Sequence, residues 1–358
     1  MDHSAGFTLV FCLALSAALA LAPFSRWLGR RLGVVAAPGG RRQSEADHRG
    51  VSKLGSISLF GAFTISILAA QLLPIPRSDP NEVIRLTGLI LGGIVIFVIG
   101  ILDDYYHFKA LPLFIGQSLA AAIAISFQIF IEYFNNPLTG QQTDPWPHIV
   151  TVALTYFWMV GMMNTVNFLD GVDGLAAGVA FIAGTMLFVN SAFRVVPPQT
   201  SVSLLMIALM GTSLGFLLMN FYPAQIIMGG GAYYLGYLLA TLSIIGGAKM
   251  ASILLVMGLP LMDLIWQALN RLRAGRSPFE GDRGHVHFRM LDLGLSQRQI
   301  VLIYYTFCAF FGVLTLVTES RAFKFIALAV MFTLIAVGFA FLARMAHLRS
   351  SSRTSSSD

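Results

Sequence analysis

Eleven apolar stretches run along this chain, each near the roughly 20 residues that cross the hydrocarbon of a bilayer. They lie at 6–25, 55–74, 86–102, 112–132, 148–163, 174–192, 202–219, 232–248, 250–269, 299–318 and 323–343. Such a succession leaves few folds open. Every backbone N–H and C=O in hydrocarbon must be satisfied within the protein, and a helix does this inside a single segment. Hydrophobic residues make up 56% of the 358 and charged residues only 11%, which excludes a soluble globular domain. We therefore expect an all-α fold, a polytopic integral membrane protein of about eleven transmembrane helices. One transmembrane domain is expected over 1–345, followed by a disordered Ser-rich tail over 346–358. Ala18-Leu-Ala20 resembles a signal cleavage site. The residues before the first stretch carry no Lys or Arg, however, and the basic cluster follows it, so it reads as a retained span.

The loops after the first, third and ninth stretches, with the tail, hold seventeen of the 23 Lys and Arg residues; Arg26 to Lys53 supply seven of these. Cytoplasmic loops carry the excess of cations. The amino terminus is thus expected outside and the carboxyl terminus in the cytoplasm, with the chain in the cell's inner (plasma) membrane. The net charge of +6 reads as topology plus attraction to anionic headgroups, and it needs no nucleic-acid partner. Cys12 and Cys308 both sit in apolar runs and read as packing residues.

Polar chemistry concentrates at the ends of the spans expected in the cytoplasm. Asn164-Thr-Val-Asn167-Phe-Leu-Asp170-Gly-Val-Asp173-Gly174-Leu175 sets two amides and two carboxylates three residues apart between long apolar runs. Ionisable groups at membrane depth cost about 2.5–3.5 kcal/mol each on insertion scales, so they default to function. A regular helix would not keep them together, since three residues turn it about 300°. Gly171 and Gly174 point to a break there, tolerated where backbone lines a polar cavity. Asp103-Asp104 closes the third span, either as a solvated helix end or as a pair needing a raised pKa or a divalent cation. In Asp282-Arg283-Gly-His285-Val-His287-Phe-Arg289, guanidinium forks beside imidazoles suit a diphosphate better than zinc, for which two histidines are too few; a basic loop facing headgroups is the plainer alternative. Asp263, after Pro260, reads equally well as a buried structural group. Convergence of several loops on one membrane face favours a cleft open to the cytoplasm over a conduction path.

Together these motifs resemble the polyprenyl-phosphate N-acetylhexosamine-1-phosphate transferases. The resemblance rests on Asn-x-x-Asn-x-x-Asp-Gly-x-Asp-Gly-Leu at 164–175, Gly-x-x-Asp-Asp at 100–104 and Asp-Arg-x-His-x-His at 282–287, and further on Gly215-Phe-Leu-x-x-Asn220, Pro223-Ala224, Pro260-x-x-Asp263 and Arg276-Ser-Pro278. It covers nearly the whole chain. It implies transfer of a sugar 1-phosphate from a UDP-sugar to undecaprenyl phosphate with release of UMP, the start of lipid-linked surface glycan synthesis. Magnesium is the implied cofactor, with manganese an acceptable substitute. By this resemblance Asp103 and Asp104 are catalytic, and Asn167, Asp170, Asp173 and Asn220 bind the nucleotide. Asn167 and Asp170 also meet the metal, while Arg283, His285, His287 and Arg289 hold the diphosphate or sugar. The chain lacks the consecutive His run of the branch using MurNAc-pentapeptide, so the sugar is expected to be of the UDP-GlcNAc type. A homodimer is left open.

Departures from the family pattern qualify this expectation. A Phe-Met-Gly-Asp segment is usual after Pro-Ala, and its Asp is a principal magnesium ligand; here the segment reads Ile227-Met-Gly229-Gly230. A Lys usual after the aspartate pair is Leu113, the third His of the late motif is Phe288, and a Pro/Gly-Gly pattern becomes Lys53-Leu-Gly55-Ser56. The expectation is an active enzyme with a rearranged metal site. A family-derived protein that binds UDP-sugar or lipid without turnover is the rival, and a secondary transporter a further one.

Overall fold

The structure is a computed structural model and describes residues 3–36, 50–77, 79–132, 143–195, 198–247, 250–277, 284–318 and 320–354. Within them, thirteen α-helices are α1 (His3–Arg31), α2 (Gly55–Ala70), α3 (Glu82–Tyr106), α4 (Ala110–Ser126), α5 (His148–Leu169), α6 (Leu175–Val189), α7 (Thr200–Asn220), α8 (Gly231–Ile245), α9 (Met250–Val256), α10 (Gly258–Arg273), α11 (Val286–Asp292), α12 (Gln297–Val317) and α13 (Arg321–Thr354). A π-helical turn, Asn190–Arg194, extends α6. No strand occurs among the described residues. Isolated bridges join Val35 to Ser52 and Ser52 to Ile226.

All eleven apolar stretches are helical, but they differ in reach. Seven are long and apolar enough to cross a membrane: α1, α3, α5, α6 with its π turn, α7, α12 and α13. Helices α2, α4 and α8 have only 16, 17 and 15 residues. The fifteen residues of α8 extend about 22 Å, short of a ~30 Å core. Every one of them is buried, so protein rather than lipid surrounds this helix. The expected continuous span at 250–269 is broken at Met257 into α9 and α10. Pro260 explains the break, because it has no N–H to offer the carbonyl four residues back at Val256. At the other end, α13 runs to Thr354 and draws most of the Ser-rich tail into a helix; the expected disorder at 355–358 lies outside the described residues.

Small residues let the helices close on one another. A Cβ at Gly211 would come within 2.6 Å of the Phe11 carbonyl, and one at Gly215 within 2.7 Å of the Leu15 carbonyl. This is the small-xxx-small contact that replaces hydrophobic driving force in a bilayer. Around α8, Gly236 seats against Met162 and Met163 of α5, and the Tyr237 hydroxyl donates to the Gly88 carbonyl of α3 at 3.0 Å. Leu91, Ile65, Phe157, Leu218 and Phe310 point outward, as a lipid-facing surface requires.

Candidate active site

Helix α5 ends at Leu169, and the Asp170 N–H closes its last turn on the Val166 carbonyl. Four residues later Gly174, at φ +81°, turns the chain into α6. The left-handed φ is why glycine stands there. The anticipated break therefore exists and gives its residues different partners. Asn164 faces α4, donating to Gln117 Oε1 at 2.7 Å and to the Val160 carbonyl at 2.8 Å. Asn167 is half-buried, and its side chain hydrogen-bonds no described residue. Asp170 and Asp173 are both buried.

Asp173 is a hub. One carboxylate oxygen accepts the Ala224 N–H at 3.0 Å, and its own N–H donates to Gln297 Oε1 of α12 at 3.3 Å. The Gly174 N–H donates to Asn220 Oδ1 at 3.1 Å, while Asn220 Nδ2 donates to the Ile226 carbonyl at 2.8 Å. The Tyr305 hydroxyl donates to the Gly174 carbonyl at 2.6 Å. The turn at 170–174, the end of α7 and the 221–230 loop are thereby one hydrogen-bonded unit.

That loop also reaches the aspartate pair. Asp104 is buried and accepts the Gly230 N–H at 2.8 Å. Asp103 is half-buried and accepts the Phe108 N–H at 2.9 Å. Position 230, where the family pattern has its metal-binding Asp, has no room for a side chain: a Cβ there would lie 2.2 Å from Gly100 Cα. At Gly229, with φ +59°, a Cβ would run into the Asp104 carboxylate and the Lys53 carbonyl. The Ile227 N–H donates to the Ser52 carbonyl at 2.8 Å, and the Ser52 hydroxyl donates to the Ser25 carbonyl at 3.1 Å. Through Ser52 the loop is anchored to the end of α1.

The late motif forms the other wall. His285 is 2% exposed; its Nδ1 lies 3.1 Å from Asp263 Oδ2, and the Val286 N–H donates to the same carboxylate. Arg271 Nη2 lies 3.5 Å from His285 Nε2. Arginine can only donate, so Nε2 accepts and the ring proton sits on Nδ1, aimed at Asp263. The imidazole stacks on Phe168 with centroids 4.7 Å apart and lies parallel to His287 at 5.8 Å. His287 in turn meets the broken turn: a Cβ at Gly171 would be 2.4 Å from its Nε2. Arg289 Nε donates to the Gly284 carbonyl at 2.8 Å. Arg283, Asp282 and Pro278 lie outside the described residues. Asp263, Gln267 and Arg271, spaced by four on α10, all contribute to this wall; that spacing marks one helix face and was the signal available in the sequence. Gln297 and Phe168 gave no comparable sign.

Among the described residues no three His, Cys, Asp or Glu side chains stand close enough to hold a metal between them. Magnesium does not require such a cage, because it is commonly held by one or two carboxylates plus substrate phosphates and retained waters. Asn167 and Asp170, hard oxygen donors at the broken turn, fit an ion carried in with a diphosphate.

Comparison with known proteins places this arrangement in context. Residues 86–247 match the family model described as Glycosyl transferase family 4. A Bacillus subtilis protein called probable undecaprenyl-phosphate N-acetylglucosaminyl 1-phosphate transferase is 28% identical over 335 residues, covering 91% of this chain and 88% of its own. Decaprenyl-phosphate N-acetylglucosaminephosphotransferase from Mycobacterium tuberculosis is 30% identical over 308 residues, 78% of this chain and 74% of its own. The phospho-N-acetylmuramoyl-pentapeptide-transferase of Staphylococcus saprophyticus is 29% identical over 285 residues, 74% of this chain and 84% of its own.

Proposed function

This chain belongs to glycosyl transferase family 4, and from that premise we propose that it is an enzyme transferring a sugar 1-phosphate from a UDP-sugar to a polyprenyl phosphate, with release of UMP. The finer reading is GlcNAc 1-phosphate as the group transferred and undecaprenyl phosphate as the acceptor. The names of the first two relatives support GlcNAc, as does the missing run of histidines in the late loop. The name of the first supports undecaprenyl phosphate, where the second has decaprenyl phosphate. The cation asymmetry of the loops supports a site facing the cytoplasm. The observation that carries the proposal is the hydrogen-bonded chain from Asp104 through Gly230 and Ala224 to Asp173, closed on the far side by His287 against Gly171.

In the reaction an oxygen of the acceptor phosphate attacks the sugar-bearing phosphorus, a new P–O bond forms, and the bond to the UMP oxygen breaks. Two polyanions must meet. Asp103, half-buried where Asp104 is pinned beneath Gly230, takes the acceptor's proton or orients its phosphate. Arg289 offers donors to the diphosphate as charge gathers on the leaving UMP, and His285, fixed between Asp263 and Arg271, positions that wall. Asp173 and Asn220 hold the turn and loop against the nucleotide side. Asn167 and Asp170 would hold magnesium, which when bound offsets phosphate charge.

Purified protein with magnesium, undecaprenyl phosphate and UDP-GlcNAc should release UMP. Asp103→Asn and Asp170→Asn should each lower turnover by about 10²-fold or more with expression intact. Wild-type rates in both variants would sink the site assignment, and no UMP from any UDP-sugar in folded material would favour binding without turnover.

A further inference from the structure

Helix α12 contributes no reacting group to the chemistry above, yet it supplies two of the bonds that shape the broken turn. Between the end of α5 at Leu169 and the start of α6 at Leu175 the backbone loses its regular helical partners. Buried N–H groups stranded there need acceptors from elsewhere. Asn220 of α7 takes the Gly174 N–H, and Gln297 Oε1 of α12 takes the Asp173 N–H at 3.3 Å. The Tyr305 hydroxyl of α12 then donates at 2.6 Å to the Gly174 carbonyl, which also accepts the Gly178 N–H of α6. Gln297 and Tyr305 stand eight residues, about two turns, apart on one side of α12. Helical side chains lean towards the N-terminus, so the Tyr305 ring reaches back to the neighbour of the residue that Gln297 holds. Gly178 admits that ring, because a Cβ there would collide with the Tyr305 hydroxyl. The first turn of α12 is itself fixed. The Ser296 hydroxyl accepts the Gln299 N–H at 3.3 Å and Gln299 Oε1 accepts the Ser296 N–H at 2.9 Å, a capping box around Gln297.

Resting on the transferase reading above, we infer that Gln297 and Tyr305 are positioning residues for the nucleotide. They act through the turn: their bonds grip the backbone on either side of the Asp173–Gly174 peptide and hold the segment carrying Asp170 and Asp173 in its receiving shape. Both bonds fall on the nucleotide side of the site and leave Asp103 alone. Their loss should therefore be felt by UDP-sugar and not by the polyprenyl phosphate. Because both act on one turn, losing the second should add little once the first is gone.

The test measures UDP binding to the purified full chain by isothermal titration, with magnesium and without acceptor, beside steady-state release of UMP. Gln297→Met keeps the side chain's length and drops the acceptor oxygen, while Tyr305→Phe drops only the hydroxyl. Each should weaken UDP binding and raise the KM for UDP-GlcNAc about fivefold to tenfold, with the KM for undecaprenyl phosphate unchanged. Gln297→Glu, which keeps an oxygen at the Oε1 position, should recover most of that affinity. Thr315→Val removes a hydroxyl that α12 bonds to its own Gly312 carbonyl, and it should leave the values alone. The double variant Gln297→Met/Tyr305→Phe should lose little more than the worse single one. Losses that multiply overturn the inference, as does an equal rise in both KM values or a similar shift in Thr315→Val. UMP release with wild-type UDP affinity and KM in both single variants sinks the positioning role alone. UDP binding that falls in both variants, from a wild type that releases no UMP with any UDP-sugar, would sink the transferase reading and leave the role of α12 standing.

Discussion

Gly230 carries a consequence that its sequence alone obscured. Read as a missing ligand, it implies that restoring Asp would restore a metal site. The structure gives a different expectation, because any side chain at 230 collides with the Gly100 backbone and displaces the N–H that Asp104 accepts. Gly230→Asp should therefore destabilise the protein by about 1–3 kcal/mol, as overpacking does. A lowered melting temperature in detergent would show it; an unchanged Tm with steeper magnesium dependence would mean that the loop opens to make room. Asp263 belongs to the same scale. Asp263→Ala removes the acceptor that sets the His285 tautomer and should cut UMP release about tenfold or more, while Asp263→Asn, still able to accept the Val286 N–H, should lose less. Many of these residues were legible beforehand, because carboxylates and imidazoles at membrane depth are costly enough to stand out. Their partnerships were not. Asp173 with Ala224 and His285 with Asp263 join residues far apart in the chain, and only tertiary packing pairs them.

At the level of elements, hydropathy located all eleven apolar helices but not their lengths. A run such as 232–248 reads as a span because it is largely apolar and carries no charge, yet burial on all sides produces the same pattern without requiring full membrane thickness. The split of α9 from α10 was signalled by Pro260 and was masked by the apolar residues around it. The α1–α7 seam offers a direct check on packing. Gly215→Leu would drive a side chain into the Leu15 carbonyl and Ala18, so its Tm should fall well below that of wild type. Retention of the wild-type Tm would show that the seam is looser than the contact distances indicate.

For the molecule as a whole, the helix ends alternate so that the C-termini of α3, α5 and α7 and the N-termini of α8 and α12 meet at one end of the bundle. Cation counting predicts which side of the membrane this end occupies. In a Cys12→Ala/Cys308→Ala background, Leu72→Cys should react with a membrane-impermeant thiol reagent in intact cells and Ser277→Cys should not; the reverse pattern would invert the topology. The hydrogen bonds to Gln297 and Tyr305 close the site across 124 and 131 residues of sequence. This has a bearing on biosynthesis. Synthesis proceeds from the amino terminus at about 5–20 residues per second. The carboxylates of α3 and the broken turn thus emerge many seconds before the residues that clamp them. Until α12 arrives the nascent protein is a membrane bundle with an unclosed polar turn, and competence is conferred last. Separately expressed halves split between α8 and α9 should accordingly gain activity only on co-assembly.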